Sequence, residues 1–225
     1  YSARVMIFIL LSCIAVLSDD HAVNKHSDID VVKILLDGNK RFVSETAIHP
    51  NQDRKTIEKN SKGQNPFAVI VSCSDSRVPV ESLFDQGVGD IFVIRTAGNI
   101  IGKNEMGSIQ YAVEHLGVRF IGVMGHTECG AVKAYAQGHK GEGNIVDILD
   151  HIRNEEEMKD IPEPKYEYLN ECINANVFHG LRQLKENAFI QNISRNHGEV
   201  KILPLLYNVG TGEVLILDSS TKAQH

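Results

Sequence analysis

Two short segments concentrate the side chains capable of metal binding and acid–base chemistry: Cys73-Ser74-Asp75-Ser76-Arg77 and His126-Thr127-Glu128-Cys129-Gly130. Two thiolates and an imidazole suit a borderline-soft tetrahedral ion, and zinc is its natural form. A His and a Cys three positions apart at a helix start can turn toward one ion, and a Cys from a neighbouring strand end adds a third donor. Three protein donors leave one corner free, which separates a catalytic zinc from a structural one. Water in that corner has its pKa lowered from 15.7 to roughly 7, which makes a hydroxide nucleophile available near neutrality. Two thiolates donate more negative charge than imidazoles, so this ion is expected to be a weaker Lewis acid than one held by three histidines, and its neighbours should matter. Asp75 and Arg77 are those neighbours. The carboxylate can take the fourth corner and close the site, or the two-pronged guanidinium can hold it off the ion, where it accepts a hydrogen bond from the nucleophile. The competing readings are a Cys73–Cys129 disulfide, which would leave His126, Asp75 and Arg77 with no shared reason to cluster, and a surface Asp–Arg pair of little energetic weight.

The elements that must position these groups follow from hydrophobic patterning. Residues 67–72 (FAVIVS), 90–95 (DIFVIR) and 119–125 (RFIGVMG) are short apolar runs of the kind expected for strands covered on both faces. The two chemical segments directly follow the first and third runs, at the carboxyl ends of strands, where loops of an open α/β sheet converge and ligands bind. Helical spacing over 104–116, with Asn104 as cap, makes a strand–helix–strand crossover and implies a parallel sheet. An amphipathic helix is expected over 27–43, capped by Ser27, and residues 44–66 read as a mostly irregular connection. Further helices are expected at 128–137, 145–159 and 166–191. Near the end, 200–207 and 213–218 flank Asn208-Val209-Gly210-Thr211-Gly212 and fit a hairpin. The fold class is α/β: a mixed, mainly parallel sheet flanked by helices, with an antiparallel C-terminal edge, in one domain over residues 27–220.

A chain of 225 residues buries enough surface to preform a site without staples. A net charge of −6 without any Lys/Arg run offers no footprint for a phosphate backbone, so nucleic acid is not an expected partner. Residues 5–17 are almost wholly apolar, follow Arg4 and precede Ser18-Asp19-Asp20, the layout of an export leader over 1–20. They fall short of the ~20 residues a membrane span needs. A membrane anchor and a buried or interface helix are the alternatives, and Leu10-Leu11-Ser12-Cys13 loosely resembles a lipoprotein site. The leader implies periplasmic or secreted localisation; without it the chain would be cytoplasmic or organellar. Cys172, in a helical stretch, reads as a small buried apolar residue. Asn192-Ile193-Ser194 is a glycosylation sequon.

With these residues in hand, the sequence resembles the β-class carbonic anhydrases from about residue 28 to residue 218. The resemblance is carried by CSDSR at 73–77, FVIRTAGN at 92–99, GSIQYAVEHLGV at 107–118 and GHTECGAV at 125–132. It implies Cys73, His126 and Cys129 as ligands of one zinc per subunit, Asp75 and Arg77 as the catalytic dyad, and an obligate dimer or a higher homo-oligomer. It also implies a substrate pocket at the dimer interface, with Gln64 donating to substrate and Phe92 and Tyr111 as aromatic walls. The reaction implied is reversible hydration of carbon dioxide to bicarbonate and a proton. Some members bind Asp to zinc and carry a regulatory bicarbonate pocket containing Trp; this chain has no Trp, so the open subtype is expected, with Asp75 on Arg77. Among the histidines, His115 is incidental and no proton shuttle stands out. The alternatives are hydrolysis of another small heterocumulene such as carbon disulfide, and a non-catalytic zinc or redox-sensing protein.

Overall fold

The structure, a computed structural model, describes residues 30–218. The leader at 1–20, the Cys13 lipid site and the helix start at Ser27 lie outside the described residues. The first helix, α1 (Val31–Val43), is capped within them by Asp30, whose carboxylate accepts from the Lys33 N–H. A second helix, α2 (Arg54–Asn60), interrupts the connection expected to be irregular. It buries no side chain and is held by its Asp53 cap, so it carries no apolar stripe for periodicity to reveal.

Five strands form one sheet: β1 (Ala68–Cys73), β2 (Ile91–Thr96), β3 (Phe120–His126), β4 (Lys201–Tyr207) and β5 (Val214–Ile216), in the order β2-β1-β3-β4-β5. The first four are parallel and β5 runs antiparallel to β4, the mixed α/β architecture expected. Each of the first three strands ends one residue later than its apolar run, so Cys73 and His126 are the last residues of β1 and β3. Both of those strands are buried throughout. The strand β2 is different: it forms the sheet edge and is only partly covered, not enclosed on both faces. An apolar run reports the faces of a strand but not whether it has two neighbours.

Helices cover both faces. On one, α4 (Lys103–Glu114), α7 (Leu169–Glu186) and α8 (Ala188–His197) pack Ile109, Val113, Val177, Leu184 and Ile193 against Val69, Val71, Ile121 and Val123. On the other, α1 and α3 (Val80–Leu83) pack Leu35, Val80 and Leu83 against Ile70, Phe120 and Leu205. A third cluster joins Cys73 and Cys129 to α5 (Gly130–Ala136), α6 (Ile145–Arg153) and α7, where Cys172 is fully buried as a small apolar residue. The N-cap of α4 is Gly102, whose N–H donates to the Glu105 carboxylate, so Asn104 lies in the first turn and not at the cap. The stretch 166–191 divides at Asn187, whose side chain accepts from Phe189 N–H and Ile190 N–H and caps α8. None of the described helices is long and apolar enough to cross a membrane.

Candidate metal centre

Parallel pairing of β1 and β3 brings Cys73 and His126 to the same edge of the sheet, and the tight turn after His126 returns Cys129 to it. Glu128, at φ 56°, supplies that turn. One donor atom from each of Cys73, His126 and Cys129 lies within 4.8 Å of the others. All three are buried, His126 completely. The His126 Nδ1–H donates to its neighbour's carbonyl, Thr127 O, at 2.9 Å, which fixes the tautomer and turns Nε2 inward. That Nε2 is buried and has no hydrogen-bond partner.

The two sulfurs interact and titrate as a pair. The neighbouring Cys129 sulfur, with His126 and the Gly98 N–H, pulls the Cys73 thiol down to about 4 against the burial penalty. The same contact and burial push Cys129 up. Two cysteine sulfurs and an orphaned imidazole nitrogen gathered in one buried pocket fit a divalent soft cation. The cysteines are free, so the disulfide reading fails.

Asp75 lies beside the donors but outside the set: its Oδ2 is 3.9 Å from His126 Nε2. Arg77 grips it with Nε on Oδ1 at 2.9 Å and Nη2 on Oδ2 at 2.7 Å, and the Arg77 backbone N–H adds a third donor at 2.9 Å. The Arg77 hydrogen bonds hold the Asp75 carboxyl well below the usual carboxylate range despite its burial. Arg77 is itself placed by donating to Glu128 O at 3.1 Å.

Sequence reasoning missed the groups that brace this arrangement. Arg95 on β2 donates to Cys73 O at 3.0 Å and to Asp75 O at 2.7 Å, tying the end of β1 to the loop that carries Asp75. Gly98, at φ 70°, turns its N–H onto Cys73 Sγ at 3.3 Å, and Asn176 of α7 holds the Gly98 carbonyl at 2.7 Å. These act through backbone groups, and the sequence signal for them is no stronger than a glycine after a strand.

Phe92 and Tyr111 stand away from the donor cluster of their own chain. Phe92 pairs in register with Val69, roughly 13 Å along the sheet from the level of Cys73. Its ring lies 6.3 Å from that of Tyr111, which is 46% exposed. Gln64 is exposed ahead of β1.

The carbonic anhydrase family model matches residues 68–214. A carbonic anhydrase of Mycolicibacterium smegmatis is 35% identical over 192 residues, covering 81% of this chain and 89% of the relative. The structure of the β-carbonic anhydrase CafA of Aspergillus fumigatus superposes with a TM-score of 0.66 at 28% identity, covering 86% of this chain and 93% of that one. One of two tetrameric β-carbonic anhydrases from Sordaria macrospora matches with a TM-score of 0.66 at 26% identity, over 83% of this chain and 96% of that one. Both the extent of these matches and a Cys–His–Cys pocket flanked by a clamped Asp lead to one conclusion: the chain belongs to the β-carbonic anhydrase family.

Proposed function

We propose that this protein hydrates carbon dioxide reversibly to bicarbonate and a proton, using a zinc held by Cys73, His126 and Cys129. The observation that carries the reading is the buried, unpartnered Nε2 of His126 facing two cysteine sulfurs, with an ionised carboxylate held just outside them. Bound there, zinc supplies an acidified water, and hence a nucleophile, near neutral pH.

The chain's own residues orient and stabilise. Asp75, kept ionised and immobile in the fork of Arg77, accepts a hydrogen bond from the attacking hydroxyl and so aims its lone pair at the substrate carbon. Arg77 stops that carboxylate from swinging onto the metal. Gln64 donates to the substrate oxygen on which charge develops. Phe92 and Tyr111 wall the pocket with apolar surface. Because Phe92 and Tyr111 stand away from their own donor cluster, these walls, and Gln64 with them, serve the site of a second copy, and the active unit is a homodimer or a larger homo-oligomer. Water adds its oxygen to carbon, bicarbonate leaves, and the released proton passes to solvent. The residues at 1–20 direct export as a leader.

Stopped-flow hydration of carbon dioxide, with zinc content measured on the same sample, tests this. Turnover should appear with one zinc at the Cys–His–Cys site and vanish when chelation strips it. Fully loaded protein that is inert over pH 7 to 9, or that hydrolyses carbon disulfide instead, would remove the proposal.

A further inference from the structure

Away from the Cys–His–Cys cluster, the end of α6, the turn after it and the middle of α7 bring His151, Glu155 and His179 together. One ligand atom of each lies within 4.8 Å of the others. Glu155 is completely buried, and neither of its carboxylate oxygens has a hydrogen-bond partner. The Nε2 of His151 is also buried and unpartnered. The two imidazole rings meet edge to face with centroids 5.8 Å apart. Three polar atoms orphaned in one pocket are too many for chance, since buried polar groups are almost always satisfied.

The third residue is oriented from behind. His179 Nδ1 lies 2.9 Å from Glu157 Oε2, and Arg182 braces that carboxylate with Nε on Oε1 at 2.6 Å and Nη2 on Oε2 at 3.4 Å. A carboxylate gripped by a guanidinium can only accept, so Nδ1 carries the hydrogen even though Arg182 Nη2 also stands 3.3 Å away. The lone pair is then left on Nε2. A carboxylate behind an imidazole that offers its other nitrogen is how metal-ligating histidines are fixed in orientation.

We infer that His151, Glu155 and His179 form a second divalent-metal site, separate from the Cys–His–Cys centre and taking a zinc-class ion through two imidazoles and one carboxylate. That donor set favours zinc-class ions over calcium or magnesium, which prefer all-oxygen shells. An ion there clasps α6, the 155–158 turn and α7 at one point. The clasp lies next to groups that support the Cys–His–Cys centre: Ile152, beside His151, comes within 3.3 Å of where a Cβ at Gly98 would stand, and Asn176, one turn before His179, binds the Gly98 carbonyl.

Equilibrium dialysis of the full chain against zinc, with metal counted by atomic emission, tests the site. The wild type should hold two equivalents. Glu155→Gln and His179→Gln should each hold one, and Cys73→Ser should also hold one. With cobalt in place of zinc, Glu155→Gln should keep the thiolate-to-metal charge-transfer band, while Cys73→Ser loses it yet still takes up cobalt. A single equivalent on the wild type overturns the inference whether or not the variants fold. So does a second equivalent that survives both Glu155→Gln and His179→Gln. In crystals of zinc-loaded protein, an anomalous peak among the three side chains supports the site, and a second zinc located elsewhere overturns it.

Discussion

Asp75 illustrates how much a single side chain's partners decide. Its carboxylate could close the metal site, yet three Arg77 donors hold it 3.9 Å from His126 Nε2. Asp75→Asn is expected to lower kcat/KM by about 10²- to 10⁴-fold, the range for a positioned acid–base group, with zinc content unchanged by metal analysis. Loss of zinc in that variant would mean that Asp75 is a ligand. The buried carboxylate of Asp85 serves structure instead, accepting from Arg41 Nε at 2.6 Å and from the N–H groups of Ile48 and His49 at 3.1 and 2.9 Å. Burial raises its pKa, but the Arg41 bond and the two backbone donors outweigh that and leave it below its ordinary 3.8. A carboxyl depressed on folding stabilises above its unfolded value, and that stabilisation fades as pH falls through its folded value. Asp85→Asn, which tolerates the positive φ there, should therefore cost about 1–3 kcal/mol at neutral pH and flatten the acid limb of stability in urea titrations. Asp75, Arg77 and the three donors were legible in sequence because their chemistry depends on residue type. Arg95, Gly98 and Asn176 were not, because they act on backbone atoms whose positions only folding sets.

At the scale of elements, α1 depends on a close approach that its amphipathic pattern does not disclose. A Cβ on Gly38 would stand 1.8 Å from Phe84 O, and the buried Asn39 beside it donates to Leu83 O and Gly212 O while accepting from Val214 N–H. The helix thus ties α3 to the C-terminal hairpin. Gly38→Ala should destabilise by at least about 3 kcal/mol, because a backbone oxygen cannot yield and helix propensity returns only about 1 kcal/mol. Differential scanning calorimetry against wild type would measure it. The strands, α4 and the hairpin were visible as periods and turn residues. Helix α2 and the break at Asn187 were invisible because one buries nothing and the other rests on a single polar cap.

At the scale of the whole molecule, a metal held by Cys73, His126 and Cys129 would join β1 to the β3–α5 turn, so its binding energy would also be folding energy. Zinc at roughly 1,000 times its Kd adds about 4 kcal/mol. Chelation should then lower the thermal midpoint by about 10 °C for a chain of this size, read by calorimetry with and without chelator. The separation of Phe92 and Tyr111 from their own donors makes a further prediction. Chains carrying Cys73→Ser and chains carrying Phe92→Ala with Tyr111→Ala should each be nearly inactive. Refolded together they should recover about a quarter of wild-type activity, since random pairing in a two-fold dimer restores one complete site in half the pairs. No recovery on mixing would place the aromatic walls within one subunit.

The sequence alone determined the donor types, their attachment to strand ends and the parallel sheet that carries them, because side-chain chemistry and hydrophobic period are local properties. Only tertiary structure decided that β2 is an edge, that Arg95, Gly98 and Asn176 brace the donor cluster, and that Glu155 lies buried between two histidines. Each of these depends on which distant segments pack together, and packing is a property of the folded whole.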